Sequence, residues 1–276
     1  MAHVNSCKGV RWVGLCLLLA WTSLTQASTQ VAIVVDDLGN QWRAGLSAIN
    51  IPFVQTLGIM PGRPFTQALA QETHRAQKTV IVHAPMSNQR GLPLGPLGLD
   101  RAEGREQLLA NLLAGLDGVP FAEGLSNHMG SQLTRDAEAM GWVMAELKQR
   151  QLFFFDSLTI ADSQGWRVAD AMGVPWSRRR IFLDHERTPE FLAQQWQQAL
   201  AIARRQGNVT IICHPYPETL AFFASLDPAD YPDIEWVSLK PLLNQPQPSP
   251  VEPEPTPIAP DRNLWVERPH GMPKGS

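Results

Sequence analysis

The chain has 276 residues, 44% of them hydrophobic and 18% charged, with 23 Lys and Arg against 26 Asp and Glu. A net charge of −3 offers no basic field to a polyanion, so nucleic acid is not an expected partner, and the apolar content excludes wholesale disorder. The length suits one large domain, because both ends have abnormal composition and shrink the part that must fold.

At the N-terminus, Lys8 and Arg11 flank an apolar stretch from Trp12 to Leu24, and Thr25-Gln26-Ala27 supplies a small-residue cleavage site. This pattern predicts a signal peptide over residues 1–27 and a periplasmic or secreted mature chain. The apolar stretch is shorter than the roughly 20 residues that cross a bilayer comfortably, so no stable span is expected after cleavage. Cleavage removes Cys7 and Cys16 and leaves Cys213 with no intrachain disulfide partner. It also removes Lys8 and Arg11, leaving 21 positive against 26 negative side chains, a net of −5.

From Val31 to Leu239, β-branched runs alternate with helical patterns. Strands are predicted at Val31–Val35, Phe53–Met60, Thr79–His83, Gly124–Asn127, Leu152–Asp156, Ile181–Asp184, Val209–Cys213 and Ile234–Leu239. Apolar residues at three- and four-residue spacing predict helices over Phe65–Gln77, Arg101–Leu116, Asp136–Gln151 and Pro189–Gln206, the last opened by the Thr188-Pro189 cap pair. About seven or eight strands with intervening helices predict an α/β fold over residues 28–240, an irregular or incomplete (β/α) barrel. No Gly-rich loop follows a strand, which argues against a nucleotide cradle. From Pro241 the chain is rich in Pro, Gln and Glu, predicting an extended, disordered tail over residues 241–276 that serves either as a docking arm for a protein partner or as a solvated end.

Residues able to do chemistry recur at the C-terminal ends of the predicted strands: Asp36-Asp37, His83, Asn127-His128, Asp156-Ser157, Asp184 and His214. In a parallel barrel these ends share one mouth, so residues far apart in sequence converge. A carboxylate with two or three imidazoles suits a divalent, zinc-like ion that keeps a position open for water. Asp36 and Asp37 repel each other unless a cation or proton offsets them, so one can bind metal while its neighbour takes a proton. Ser131, Ser157 and Cys213 lack triad spacing or an elbow motif. Trp166, Trp176 and Trp196 read as core rather than as a sugar platform.

Val31 to Gly39, His83-Ala84-Pro85-Met86, Gly124 to Ser131, Phe155-Asp156-Ser157 and Cys213-His214-Pro215 together resemble the divergent polysaccharide deacetylase family, with Asn127-His128-Met129-Gly130-Ser131 the most specific block. The resemblance implies a NodB-like carbohydrate deacetylase barrel acting on N- or O-acetyl groups of an envelope polysaccharide. It implies Asp36 as general base, Asp37 as metal ligand and His214 as general acid, with His83 at the position of the family's first metal histidine. Ordinary members carry a second histidine four residues after the first, whereas Ser87 follows His83 and Gln132 follows His128 at that spacing. The expected ligand set is therefore Asp37, His83 and His128, the last from a different strand. Asn127, Ser131, Asp156 and Asp184 are candidates to support those ligands through hydrogen bonds. The alternative to an enzyme is a non-catalytic glycan-binding or regulatory barrel.

Overall fold

The computed structural model describes residues 28–244, so the predicted signal peptide and the tail beyond residue 244 lie outside the described residues. In chain order the elements are β1 (Thr29–Leu38), α1 (Trp42–Ile49), β2 (Thr56–Ile59), α2 (Thr66–Arg75), β3 (Thr79–Met86), α3 (Arg105–Gly118), β4 (Ala122–Met129) and α4 (Ala137–Gln149). They continue with β5 (Phe153–Asp156), α5 (Gly165–Met172), β6 (Trp176–Arg178), β7 (Ile181–Phe182), α6 (Pro189–Gln206), β8 (Asn208–Cys213), α7 (Pro217–Ala224) and β9 (Ile234–Val237). The strands follow the order β6-β5-β4-β3-β2-β1-β8-β7, every pairing parallel. β9 takes the N-terminal half of β1 on the edge whose C-terminal half pairs with β2.

The sheet curls into an incomplete (β/α) barrel of the NodB-like kind. Its two ends, β6 and β7, are consecutive in sequence and joined by only Arg179 and Arg180. Arg179 N donates to Asp156 O of β5 and Arg180 N to Thr210 O of β8, both at 3.0 Å, so this short link bonds to the strand next to each edge of the sheet.

Alternation along β1 generates two apolar layers. Val31, Ile33 and Val35 face outward and pack with Leu69, Leu108, Met140 and Trp196 beneath the helices. Ala32 and Val34 face inward with Ile81, Phe153, Phe155 and Ile212. Burial on both faces is why these strands read as continuous apolar runs. Trp196 and Trp176 are buried as core, and Trp166 packs against Trp176 with ring centroids 5.0 Å apart.

The long helices form where the sequence places them: Asp136 caps α4 by accepting from Ala139 N at 2.9 Å, and Thr188 caps α6 by accepting from Phe191 N at 3.2 Å. After β9, Leu239 and Leu242 complete the inner layer. Leu239 N donates to Thr56 Oγ1 at 3.2 Å, Asn244 N donates to Trp176 O at 2.7 Å, and Trp176 N donates to Asn244 Oδ1 at 2.6 Å. Thr56 and Trp176 begin their strands, so this segment closes the barrel end opposite the strand C-termini. Residues 241–244, assigned to the tail on proline content, are packed into the fold, because Pro241 sits inside a 3-10 turn whose Leu242 is buried.

Candidate metal centre and active site

In a regular strand, Asp36 and Asp37 would point to opposite faces. The register of β1 against β2 slips between Val35 and Leu38, and Asp37 adopts a left-handed φ of 61°, a conformation that Asp tolerates better than most residues. This kink brings both carboxylates to the same mouth. Gly58 on β2 leaves the space that Asp36 fills, since a Cβ there would stand 1.8 Å from Asp36 Oδ1.

β3 and β4 deliver the imidazoles. His83 Nε2 lies 3.2 Å from Asp37 Oδ1, and His128 Nδ1 lies 2.7 Å from the same oxygen. The two rings meet edge to face with centroids 5.2 Å apart. Asp37, His83 and His128 each offer one ligand atom, all within 4.8 Å of one another. His83 Nδ1 faces the other way, 2.7 Å from Ser126 Oγ and 3.4 Å from Asp36 Oδ2. Ser126 is the β4 register partner of His83, so the sheet itself fixes this contact.

His214 follows β8 and completes the mouth, its Nε2 3.7 Å from Asp37 Oδ2. Asp184 holds it from behind: Oδ1 lies 3.0 Å from His214 Nδ1, while Oδ2 accepts from His214 N at 2.7 Å and from Thr219 Oγ1 at 2.8 Å. Burial alone would lower the His214 pKa, but the Asp184 charge and hydrogen bond, with Asp37 and Asp36 beyond, push it up to about 9. Burial raises the Asp36 carboxyl above its ordinary value, against the pull of His83 and with the repulsion of Asp37. Burial also works to raise Asp37, but His128 and His83 beside it hold its carboxyl well below the usual range. Adjacent carboxylates thus separate into one that favours a proton and one that stays ionised.

These residues fit a divalent cation. Both Asp36 oxygens are buried and accept no hydrogen bond among the described residues, and Asp37 Oδ1 is buried against the imidazole nitrogens of His128 and His83 at 2.7 and 3.2 Å. A buried carboxylate oxygen left without a donor is costly, and one oxygen converging with two imidazole nitrogens is a donor set that suits zinc while leaving a coordination position open.

The other predicted residues hold loops rather than share this cluster. Asn127 ties the ends of β4 and β5 together, its Oδ1 accepting from Ser157 N at 2.9 Å and its Nδ2 donating to Met129 O at 2.7 Å, which brackets His128. Ser131 Oγ accepts from Gln89 N at 3.2 Å. Asp156 points outward and anchors the start of α5, accepting from Leu158 N, Ser163 Oγ and Trp166 N at 2.8, 2.7 and 3.1 Å. Of the four supporting candidates, Asp184 touches a mouth histidine directly. Gly58, Ser126 and Thr219 were not singled out by sequence. Strand alternation could have indicated Ser126, two residues before His128 on the same face, whereas nothing local marks Gly58 or Thr219.

Known proteins share this arrangement of chain. The family described as divergent polysaccharide deacetylase matches residues 33–243. The uncharacterized protein YibQ of Escherichia coli is 31% identical over 235 residues, covering 83% of this chain and 74% of that protein. An uncharacterized protein of Haemophilus influenzae is 31% identical over 201 residues, covering 73% of this chain and 72% of its own. The crystal structure of an uncharacterized Agrobacterium tumefaciens protein superposes with a TM-score of 0.74 at 25% identity, covering 79% of this chain and 90% of that one. No helix among the described residues is long and apolar enough to cross a membrane. With the match spanning nearly the whole barrel, and with the strand-end residues that carried the resemblance gathered at its mouth, the chain belongs to the divergent polysaccharide deacetylase family.

Proposed function

We propose that this protein is a zinc-dependent hydrolase that removes N- or O-acetyl groups from an envelope polysaccharide, working in the periplasm or outside the cell after its signal peptide is cleaved. The observation that carries the proposal is the convergence of Asp37, His83 and His128 on one point, with a proton-favouring Asp36 and a proton-holding His214 on either side. When bound, the metal supplies Lewis acidity and lowers the pKa of a water toward about 7.

The chain's own residues then divide the proton work. Asp36, buried with no hydrogen-bond donor on either oxygen, is the carboxylate placed to accept a proton, because burial holds its carboxyl above the ordinary range. Ser126 Oγ, 2.7 Å from His83 Nδ1, can accept from an Nδ1–H, the tautomer that leaves Nε2 free on the side of Asp37. Asp184 pins His214 through Nδ1, so Nε2 faces the mouth and holds a proton for the departing amine or alcohol. Cys213 takes no part as a nucleophile: its thiol is buried, 3.7 Å from Val34 O, and burial pushes its pKa up.

The test is acetate release from N- and O-acetylated envelope polysaccharides by the purified mature chain. Release that stops on chelation and returns with zinc is the expected result. Absence of release from every acetylated polymer by zinc-loaded wild type would overturn the proposal in favour of the glycan-binding barrel.

A further inference from the structure

A second cluster of charge lies on the flank of the barrel, apart from the mouth. Five arginines elsewhere are held by carboxylates: Arg75 by Glu72, Arg101 by Glu138, Arg135 by Asp162, Arg150 by Asp117 and Arg204 by Asp233. Arg167, Arg178 and Arg180 have no such partner among the described residues, although they crowd one another. Arg167 Cζ and Arg178 Cζ each lie 4.6 Å from the centroid of the Trp166 ring. Burial, then the charges of Arg180 and Arg167, lower the Arg178 pKa from its ordinary value, against the smaller opposing pull of Asp156.

The acids on adjoining elements are committed elsewhere. Asp156 accepts three hydrogen bonds at the start of α5, Asp162 pairs with Arg135, and Asp170 accepts from Trp176 Nε1 at 3.0 Å. Arg167 uses one nitrogen on Ser163 O at 2.6 Å. Arg178 Nε is shielded from solvent and has no acceptor. A buried guanidinium nitrogen without an acceptor is costly, and three neighbouring cations with no salt-bridge partner repel.

The topology explains why this flank is open. Every other long stretch of the sheet is overlaid by a crossover helix, but the two-residue link between β6 and β7 carries none. Arg167 lies on α5, which packs on β6, while Arg178 ends β6 and Arg180 lies on the uncovered link to β7, on which α6 packs. Cation–π contact with Trp166 holds two of them in place.

We propose that Arg167, Arg178 and Arg180 form a binding site for a tetrahedral phosphate-type oxyanion, presented by a phosphate ester. Planar guanidinium forks match phosphate oxygens pairwise, and several of them together neutralise a dianion and supply the acceptor that Arg178 Nε lacks. The site uses none of the metal-centre residues, so it stands whether or not the barrel hydrolyses acetyl groups.

The experiment is a calorimetric titration of the full mature chain with inorganic phosphate at constant ionic strength, repeated for Arg178→Gln, Arg180→Gln and Arg205→Gln. Arg205 is exposed on α6 and serves as the charge-matched control. Saturable binding that weakens at least about tenfold in the first two variants and is unchanged in the third is expected. Arg180 is exposed and its side chain makes no hydrogen bond among the described residues, so an unchanged melting temperature in Arg180→Gln certifies that the fold is intact. Co-sedimentation with phosphatidylglycerol but not phosphatidylcholine vesicles, lost in Arg180→Gln, identifies a lipid headgroup as the source. Phosphate binding without sedimentation identifies a soluble phosphate ester. No saturable phosphate binding, or equal binding by wild type and Arg180→Gln, overturns the site.

Discussion

Asp184 grips His214 at two points, with Oδ1 3.0 Å from the ring Nδ1 and Oδ2 accepting from the His214 backbone N at 2.7 Å. The pair is buried, and the imidazole pKa is pushed up to about 9 against the opposing effect of burial. A histidine raised above its ordinary 6.5 contributes stability that is complete below pH 6.5 and is lost as pH rises through about 9. Asp184→Asn removes the charge that raises it. The alkaline limb of the deacetylation pH profile should then move down by at least about one unit, and the decline in stability between pH 6.5 and 9 should flatten. A profile identical to wild type would show that His214 is not the titrating acid.

Asp36→Asn keeps the size of the side chain and leaves Asp37, His83 and His128 in place. Metal content should match wild type, while turnover should fall by about 10²–10⁴-fold, the usual contribution of a positioned base. Joint loss of metal and activity would instead make Asp36 a ligand.

Gly58→Ala places a methyl 1.8 Å from Asp36 Oδ1. Asp36 or the β1–β2 pairing must shift, so a loss of about 1–3 kcal/mol is expected, together with deacetylase activity well below wild type. Denaturant unfolding and acetate release measure the two effects separately, and wild-type values for both would mean that the strand absorbs the methyl without moving the carboxylate.

Ending the chain after Leu239 removes the buried Leu242 and the Asn244 bridge to Trp176. A loss of about 2–5 kcal/mol relative to a chain ending at Asn244 follows from emptying a buried leucine site alone. Equal melting temperatures for the two truncations would show that the closing segment adds nothing to the barrel.

Much of this architecture was legible in the residues. The apolar runs of β1, β3 and β8 are buried on both faces and announce themselves, and the strand-end rule brought Asp36, Asp37, His83, His128 and His214 to one mouth. The short elements were hidden. α1, α5 and α7 have eight residues each, and β6 has three, too few for periodicity to emerge. Within α1, Gly45 lets the helix lie close against Leu69, whose Cδ1 would stand 2.5 Å from a Cβ at that position. In the site, spacing indicated which residues reach the mouth but not which face each one takes. Asp156 sits near the C-terminal end of its strand as Asp36 does, but its side chain alternates to the outer face and anchors α5. Pro241 signalled a tail because proline content says nothing of the leucine that follows it into the core.

The assignment of Asp37, His83 and His128 as one metal centre is tested most directly by elemental analysis of the mature wild type, Asp37→Ala, His83→Ala and His128→Ala, each purified without added metal. Near-stoichiometric zinc in wild type that falls in all three variants is expected. Undiminished metal in Asp37→Ala, or a wild type that neither retains zinc nor takes it up when supplied, would contradict the assignment.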